Sequence, residues 1–339
     1  MPSDVGDHTE RELIARIQAR LPPPPSWMLV GIGDDAAVVE PEKNRVEVLS
    51  VDAIVDGVHF DRAFVPPDAI GHRALAVNLS DLAAMGAAPR LALLSLILPD
   101  TLPLADFDGI IGGLTALAAE YRVHVAGGNL TRSPGPLVID VTITGTVKRR
   151  QALTRAGARA GDEIYVSGTI GAAAAGLRLL RNRPSPEHVV PSTADCGLIE
   201  AYLRPTPRVR LGVWLGRNRA ASACVDLSDG LADGVHRIAE ASGVGITIDA
   251  DALPIDAVAR EILRRQDGDP LLDAISSGDD YELLFAMRPR MRRYVLGASR
   301  HAAVPLTRIG VCTDDRAVRL QGAGRDLPLP CGYTHFRRT

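Results

Sequence analysis

The sequence predicts a two-domain protein of the α/β (α+β) class. The chain has 339 residues, which is long for one hydrophobic core and sufficient for two. Predicted helices and strands follow one another irregularly, without the regular alternation of a doubly wound sheet. The composition changes at Lys148-Arg149-Arg150. We therefore expect an N-terminal domain over residues 1–148 and a C-terminal α/β domain over residues 149–339.

The first half predicts three helices and five strands. Thr9-Glu10-Arg11-Glu12 has the form of a capping box and begins a helix that must end before Pro22. Helices are also expected from Asp68 to about Met85 and from about Leu104 to Tyr121, although three glycines lower the propensity of the latter. The strands are expected at Val46–Val51, Ile54–Phe60, Leu91–Leu98, Val123–Ala126 and Leu137–Val147.

The second half predicts a similar mixture. A turn at residue 160 leads into a strand that ends near Gly168, and an Ala-rich helix begins near Ile170. Residues 182–192 are rich in Pro and polar residues and are expected to form a loop. Further helices are predicted at 207–218, 229–242 and 255–265, and strands at 245–248 and 281–286.

Composition excludes several classes of protein. The net charge is −3, so no strongly basic surface indicates nucleic acid or anionic lipid. The four cysteines are scattered without CxxC spacing, which argues against a zinc site or a disulfide framework. No basic and apolar leader is apparent, and the longest apolar run, Leu91–Leu98, is far shorter than the ~20 residues of a membrane helix. We expect a cytoplasmic protein.

Five short acidic clusters lie at the ends of apolar stretches. Carboxylates that are brought together repel one another by roughly 4 kcal/mol per close pair at an effective dielectric constant near 20. A fold that gathers them therefore needs cations, and hard oxygen ligands suit Mg²⁺. This pattern predicts a metal-dependent enzyme that acts on a nucleotide. The clusters are Gly31–Asp35, Ser50–Asp52, Asn78–Asp81, Asp226–Asp229 and Ser277–Asp280.

Each motif has an ordinary structural explanation when it is taken alone. Gly31–Asp35 is also explained as a solvated turn, Gly127–Asn129 as a hairpin turn, and Asp226–Gly230 as a helix N-cap. Arg155 is equally consistent with one more surface arginine. The sequence contains no GxxxxGK[ST] loop, no GxSxG elbow and no kinase His-Arg-Asp signature. Gly168–Gly171 precedes a predicted helix and is a candidate anion-binding turn.

In this order and spacing, the motifs resemble the thiamine-monophosphate kinase family of the aminoimidazole ribonucleotide synthetase-like superfamily. The resemblance covers most of the chain. It implies ATP-dependent phosphorylation of thiamine phosphate to thiamine diphosphate, by direct in-line transfer that several Mg²⁺ ions assist. Further matching segments are Gly57–Phe60, Ala74–Gly86, Ala152–Arg155, Asp279–Leu283 and Gly332-Tyr333.

The resemblance also assigns roles to individual residues, with no covalent nucleophile among them. The implied metal ligands are Asp35, Ser50, Val51, Asp52, Asp81, Asn129, Asp226 and Asp229. The implied ATP contacts are Tyr121, Gly128, Asn129, Arg155 and Ser228, and the implied substrate contacts are His59, Asp279 and Tyr333. Three positions depart from the family pattern: Val51 replaces a frequent threonine, Asn129 an aspartate and Asp279 a glutamate. These departures bear on metal affinity and on reach to the substrate.

The family fold implies a homodimer. The N-terminal domain binds ATP and Mg²⁺ and pairs its sheet with that of a second copy, and the C-terminal domain closes the nucleotide cleft. Neither nucleic acid nor a membrane is expected as a partner. The alternatives are another ATP-using enzyme of the superfamily, such as aminoimidazole ribonucleotide synthetase, selenophosphate synthetase or a hydrogenase-maturation protein, a non-catalytic nucleotide-binding paralogue, and a plain acidic metal-binding domain. Against the related enzymes, the chain has no cysteine near its N-terminus.

Overall fold

A computed structural model shows a mixed α and β protein, as predicted. The chain forms two compact units: an N-terminal unit of Met1–Leu82 and Ala88–Arg149, and a C-terminal unit of Ala83–Ala87 and Arg150–Thr339. The structure describes residues 3–182, 193–264, 269–322 and 324–332. Most of the loop that was predicted at 182–192 therefore lies outside the described residues. Within the described part of the chain, each helix is too short or too polar to cross a lipid bilayer.

The N-terminal unit contains three helices and six strands in its described part. The elements are α1 (Glu10–Gln18), β1 (Met28–Val30), β2 (Val38–Val39), β3 (Arg45–Val55), α2 (Pro67–Ala84), β4 (Ala88–Leu98), α3 (Leu104–Tyr121), β5 (His124–Arg132) and β6 (Val138–Lys148). Helix α1 begins at the predicted capping box, in which Thr9 Oγ1 accepts from the Glu12 amide and Glu12 Oε2 accepts from the Thr9 amide at 2.8 Å. The last two residues of α2 belong to the C-terminal unit.

Four of these strands form one sheet in the order β3-β6-β4-β5, with β4 and β5 parallel and the other pairs antiparallel. Residues that pair directly across a ladder point to the same face. The inner face is buried and includes Ile139 and Val141. The outer face carries three exposed apolar side chains, Leu49 (69%), Val51 (57%) and Leu93 (39%). The sheet therefore has one covered face and one partly apolar, exposed face.

The structure contradicts one sequence prediction and one alternative explanation of a motif in this sheet. Residues 46–60 do not form two strands, because β3 pairs with β6 without interruption from Arg45 to Val55 and a tight turn follows. In that turn the Gly57 amide donates to the Phe60 carbonyl at 2.8 Å. Gly127–Asn129 is not a hairpin turn, because it lies within β5 and pairs with β4. Glycine is needed there since a Cβ at Gly128 would lie 1.9 Å from the Leu94 carbonyl oxygen.

Helices α2 and α3 of the N-terminal unit touch through glycines. A Cβ at Gly113 would lie 1.8 Å from the Asp68 carbonyl oxygen, and one at Gly71 would lie 1.8 Å from the Ile110 carbonyl oxygen. Gly71 and Gly113 therefore allow the backbones of α2 and α3 to approach each other, although Gly113 lowers the helix propensity of α3. Gly112, in the same turn of α3, has no such neighbour within 4 Å.

The C-terminal unit is built around a seven-stranded sheet. Its described elements are β7 (Glu163–Ser167), α4 (Ala172–Arg181), α5 (Thr193–Leu203), α6 (Val209–Asn218), β8 (Ala223–Asp226), α7 (Leu231–Ser242), β9 (Gly245–Asp249), α8 (Ala257–Arg264), α9 (Pro270–Ser276), β10 (Leu283–Met287), α10 (Val295–Ala302), β11 (Leu306–Thr313), β12 (Val318–Gly322) and β13 (Arg325–Pro328). The strand order is β13-β12-β9-β11-β7-β10-β8, in which only β12 and β9 pair in parallel among the described strands. A buried apolar core lies between this sheet and helices such as α7.

The glycine contact between α2 and α3 predicts opposite effects at two adjacent positions. Gly113→Ala should lower the free energy of unfolding, by about 1–3 kcal/mol, because the methyl group cannot fit without moving a helix. Gly112→Ala should raise it by up to about 1 kcal/mol, because alanine favours the helix and the site is open. Urea denaturation of the two variants checks this, and equal effects at both positions would contradict the packing.

Candidate functional site

In the N-terminal unit, hydrogen bonds join the acidic cluster on β3 to the acidic cluster on α2. Ser50 Oγ donates a hydrogen bond to Asp81 Oδ2. The Asp52 amide donates to Asn78 Oδ1 at 3.1 Å. Asn78 and Asp81 lie three residues apart and therefore share one face of α2. Asn78 is fully buried, and its Nδ2 also donates to the Ala74 carbonyl at 3.0 Å. Oxygen ligands from a strand and a helix are thus brought to one place.

The turn that carries Asp35 is anchored from two sides. Gln18 Nε2, at the end of α1, donates to the Ile32 carbonyl at 3.0 Å. The β1–β2 hairpin packs on the sheet through Met28, and the Arg90 guanidinium lies 4.1 Å from the centroid of the Trp27 ring. Asp35 itself is exposed. The turn is therefore fixed by its backbone, while its carboxylate faces solvent.

Asn129 lies on the other edge of the same sheet. It pairs with Ser95, which pairs in turn with Asp140, so its side chain is on the outer face of the sheet. Strands β6 and β4 lie between β3 and β5. Three strand spacings of about 4.8 Å therefore separate Asn129 on β5 from the strand that carries Asp52, a distance of about 14 Å. The sheet of one chain therefore does not bring Asn129 to Asp52.

Two further predicted residues of this unit lie at the ends of elements. His59 follows β3, and its Nδ1 accepts a hydrogen bond from the Val55 amide at 3.1 Å. A neutral imidazole in this position carries its proton on Nε2. Tyr121 is the last residue of α3 and is half-buried.

In the C-terminal unit, the Asp226–Gly230 turn joins β8 to α7. Asp226 is 7% exposed at the end of β8. Asp229 is ion-paired with Arg237, whose Nη2 lies 3.1 Å from its Oδ2 and which also bonds Asp233. Ser228 is exposed, and its carbonyl accepts from the Asp279 amide at 2.8 Å. The acidic turn is thus held by helix α7 and by the segment that contains Asp279.

That second segment sits next to the N-terminus of α4. Tyr281 donates its hydroxyl to Asp279 Oδ1 at 3.1 Å. Asp280 accepts from the Gly171 amide at 2.8 Å and from the Ala173 amide at 3.4 Å. Burial raises the pKa of Asp280 to about 8, against the opposing effect of the hydrogen bond from Gly171. Gly168–Gly171 was a candidate turn for binding an external anion, and this prediction is wrong because the chain supplies its own carboxyl group there.

Family comparisons identify the chain. Residues 33–147 match the family described as AIR synthase related protein, N-terminal domain, and residues 159–323 match AIR synthase related protein, C-terminal domain. The thiamine-monophosphate kinase of Salmonella typhimurium is 41% identical over 331 residues, which cover 96% of this chain and 98% of the relative. The chain belongs to the thiamine-monophosphate kinase family.

Solved structures of thiamine-monophosphate kinases share the fold. The crystal structure of the enzyme from Stenotrophomonas maltophilia K279a has a TM-score of 0.81 and 40% identity, covering 94% of this chain and 98% of that one. A structure described as AaThiL complexed with AMPPCP and TMP has a TM-score of 0.75 and 32% identity, covering 90% of this chain and 92% of that one.

The residues of this member of the thiamine-monophosphate kinase family suit Mg²⁺ by donor type. Ser50, Asp52 and Asp81 are hard oxygen donors, and the bonds of Ser50 and Asp52 to α2 hold them beside that helix. Among the described residues, no three His, Cys, Asp or Glu side chains are close enough to enclose a metal by themselves. A divalent ion at this place would need ligands beyond these side chains, and phosphate oxygens are of the required type.

Two predicted site residues, Tyr333 and Arg155, take no part in the side-chain contacts described above, and the roles of two other residues were not predicted. Tyr333 lies outside the described residues. Arg155 is exposed, and its carbonyl accepts from Ser242 Oγ at 3.2 Å. Sequence reasoning missed the roles of Asn78 and Asp280. For Asn78, the available signal was its position three residues before Asp81, which is helical spacing. For Asp280, there was no signal in the sequence, because its contact with α4 joins segments more than 100 residues apart.

Proposed function

We propose that the protein is a thiamine-phosphate kinase, which transfers the γ-phosphoryl group of ATP to thiamine phosphate and forms thiamine diphosphate. The observation that carries this is the near full-length similarity to AaThiL complexed with AMPPCP and TMP. The thiamine-monophosphate kinase of Escherichia coli K12 is also 42% identical over 332 residues. We place the reaction in the cytoplasm, which suits four cysteines that are all unpaired thiols.

The chemistry needs no nucleophile from the enzyme. A phosphate oxygen of thiamine phosphate attacks the γ-phosphorus, the bond to the β–γ bridging oxygen breaks, and ADP leaves. The substrate phosphate is already ionised at neutral pH, so a strong general base is unnecessary. Positioning and neutralisation of charge account for most of the catalysis of phosphoryl transfer. The protein therefore has to align two anions that repel each other.

Several Mg²⁺ ions suit this requirement. When bound, Mg²⁺ neutralises phosphate charge and draws the phosphates toward the carboxylates. The bond between Ser50 and Asp81 supports this assignment, because it joins two oxygen ligands from separate elements. The residues that we assign to the metals are Asp35, Ser50, Val51, Asp52, Asp81, Asn129, Asp226 and Asp229.

The remaining assignments concern the two substrates. Tyr121, Gly128, Asn129, Arg155 and Ser228 are assigned to ATP. His59, Asp279 and Tyr333 are assigned to thiamine phosphate. The hydrogen bond from the Val55 amide to Nδ1 fixes the orientation of the His59 ring, which supports its role. Asp279 replaces a glutamate of the family pattern and is one methylene shorter. The hydrogen bond from the Tyr281 hydroxyl holds its carboxylate in place.

We further propose a homodimer that is formed through the N-terminal sheet. Two observations support it: Leu49, Val51 and Leu93 leave the outer face apolar and exposed, and the sheet has β3 and β5 as its two edges. Pairing of the two sheets would remove these apolar side chains from water.

The proposed activity predicts that ADP is released from ATP and Mg²⁺ only when thiamine phosphate is present. Because the substrate itself supplies the attacking oxygen, no label should remain on the protein after incubation with γ-labelled ATP alone. Coupled detection of ADP and autoradiography measure the two quantities. Release of ADP without thiamine phosphate would favour a related ATP-using enzyme. Nucleotide binding without turnover would favour the non-catalytic paralogue, and stoichiometric labelling that can be chased would contradict direct transfer.

The metal assignment predicts that Asp52→Ala and Asp81→Ala each lower kcat by about 10²–10³-fold at saturating Mg²⁺. Loss of one well-placed electrostatic contact commonly has an effect of this size. Asp106→Asn is the control, because Asp106 is ion-paired with Arg62 at 3.1 Å and is not one of the residues that we assign to the metals. Near-normal turnover of Asp81→Ala in a folded protein would remove that residue from the metal site.

The dimer predicts that a charge on the outer face separates the copies. Leu49→Asp should give a particle of 36.0 kDa in sedimentation velocity, whereas the native protein should have twice that mass. Leu29→Asp is the matched control, because Leu29 is 60% exposed but lies on β1, outside this sheet. A native protein that sediments as a monomer at micromolar concentration would contradict the dimer.

A further inference from the structure

The segment Ser277–Glu282, which we call the Asp280 loop, has an uncommon backbone. Asp279 and Tyr281 both have positive φ angles, 71° and 49°. Residues that carry a Cβ rarely adopt this region, and a bulky residue such as tyrosine does so least readily. Such conformations persist where the surroundings determine them, and they cluster at functional sites. Two of them within three residues require strong local fixation.

Asp280, which lies between these two residues, provides one part of that fixation. Its carboxyl group is bonded to the amides of Gly171 and Ala173 at the start of α4, at 2.8 and 3.4 Å. These amides belong to the first turn of the helix, where backbone donors have no partner within the helix. The contact therefore joins the loop to a rigid element about 110 residues away in sequence.

Glu282 fixes the other end of the loop. Arg208 Nε donates to Glu282 Oε2 at 2.7 Å, and Ser167 Oγ donates to the same carboxylate. A Cβ at Gly168 would lie 2.0 Å from Glu282 Oε1, so the backbone just after β7 closely approaches this carboxylate. Glu282 is 4% exposed. The loop is thus attached on both sides of Tyr281.

The Asp280 loop in turn holds the Asp226–Gly230 turn. The amides of Asp279 and Tyr281 donate to the carbonyls of Ser228 and Leu227 at 2.8 and 3.0 Å. A Cβ at Gly278 would lie 2.2 Å from the Ser228 carbonyl oxygen. The backbones are therefore in direct contact, and a shift of the loop would move Asp279 away from Ser228.

We propose that Asp280 is a positioning residue, which holds Asp279 in the orientation that binds thiamine phosphate and in register with Ser228. The proposal rests on the proposed function, in which Asp279 contacts thiamine phosphate and Ser228 contacts ATP. Without Asp280, the positive φ angles of Asp279 and Tyr281 lose one of their supports. Asp279 then occupies several orientations, and substrate affinity falls. The Asp226–Gly230 turn is also held by β8 and α7, so nucleotide binding changes less.

The test compares Asp280→Ala and Asp280→Asn with Asp256→Ala. Asp256 is a matched control, because its side chain caps a different helix, α8, through the amides of Val258 and Ala259 at 2.8 and 3.1 Å, and not the start of α4. We expect Asp280→Ala to raise the KM for thiamine phosphate at least about tenfold, with the KM for ATP changed less than about twofold. Asp280→Asn keeps one acceptor oxygen and should have a smaller effect. Asp256→Ala should change neither KM.

A second readout does not depend on activity. Hydrogen exchange at the amides of Asp279 and Tyr281 should be faster in Asp280→Asn than in the native protein, while exchange in α7 stays the same. Equal KM values in folded Asp280→Ala and Asp256→Ala would overturn the proposal, as would unchanged exchange in the loop. If the native protein does not turn over thiamine phosphate, the proposed function fails, and the exchange experiment still decides whether Asp280 fixes the loop.

Discussion

The hydrogen bond between Ser50 and Asp81 is the interaction on which the N-terminal part of the site depends. It attaches helix α2 to the edge strand β3 at the place where oxygen ligands converge, and the bond from the Asp52 amide to buried Asn78 repeats the attachment one helical turn earlier. The position of α2 is in turn set by α3, because Gly71 and Gly113 allow the two helix backbones to touch.

In the C-terminal unit, donors from the chain itself hold the acidic segments in place. Each acidic segment there is fixed by a donor from another element: Asp229 by Arg237, Asp280 by the start of α4, and Glu282 by Arg208. Buried carboxylates that are bonded in this way are costly to disturb, because removal of one partner leaves an uncompensated polar group. Asp279 and Ser228 are therefore presented by a rigid framework, although both belong to segments without regular secondary structure.

The sequence predicted the long elements well, and contacts between distant segments poorly. Leu104–Tyr121 was predicted with its observed limits because apolar residues recur at helical spacing despite three glycines. The short helix Pro270–Ser276 and the strands β12 and β13 were not predicted, because elements of four to seven residues carry too little periodicity to identify them. Strand β11, with eight residues, was also missed. The acidic motifs indicated the candidate site, but the sheet order, and with it the separation of Asp52 from Asn129, depends on pairing that motif spacing does not encode. The same holds for the bond between Asp280 and Gly171.

If the carboxylates of this protein bind a nucleotide through divalent cations, nucleotide affinity depends on the metal even when no turnover takes place. Calorimetric titration with AMPPCP, in Mg²⁺ and then in excess EDTA, measures this dependence. We expect the affinity for AMPPCP to fall at least about 100-fold without the metal, since uncompensated carboxylates repel the triphosphate. Equal affinity in the two conditions would show that the cations do not join the carboxylates to the nucleotide.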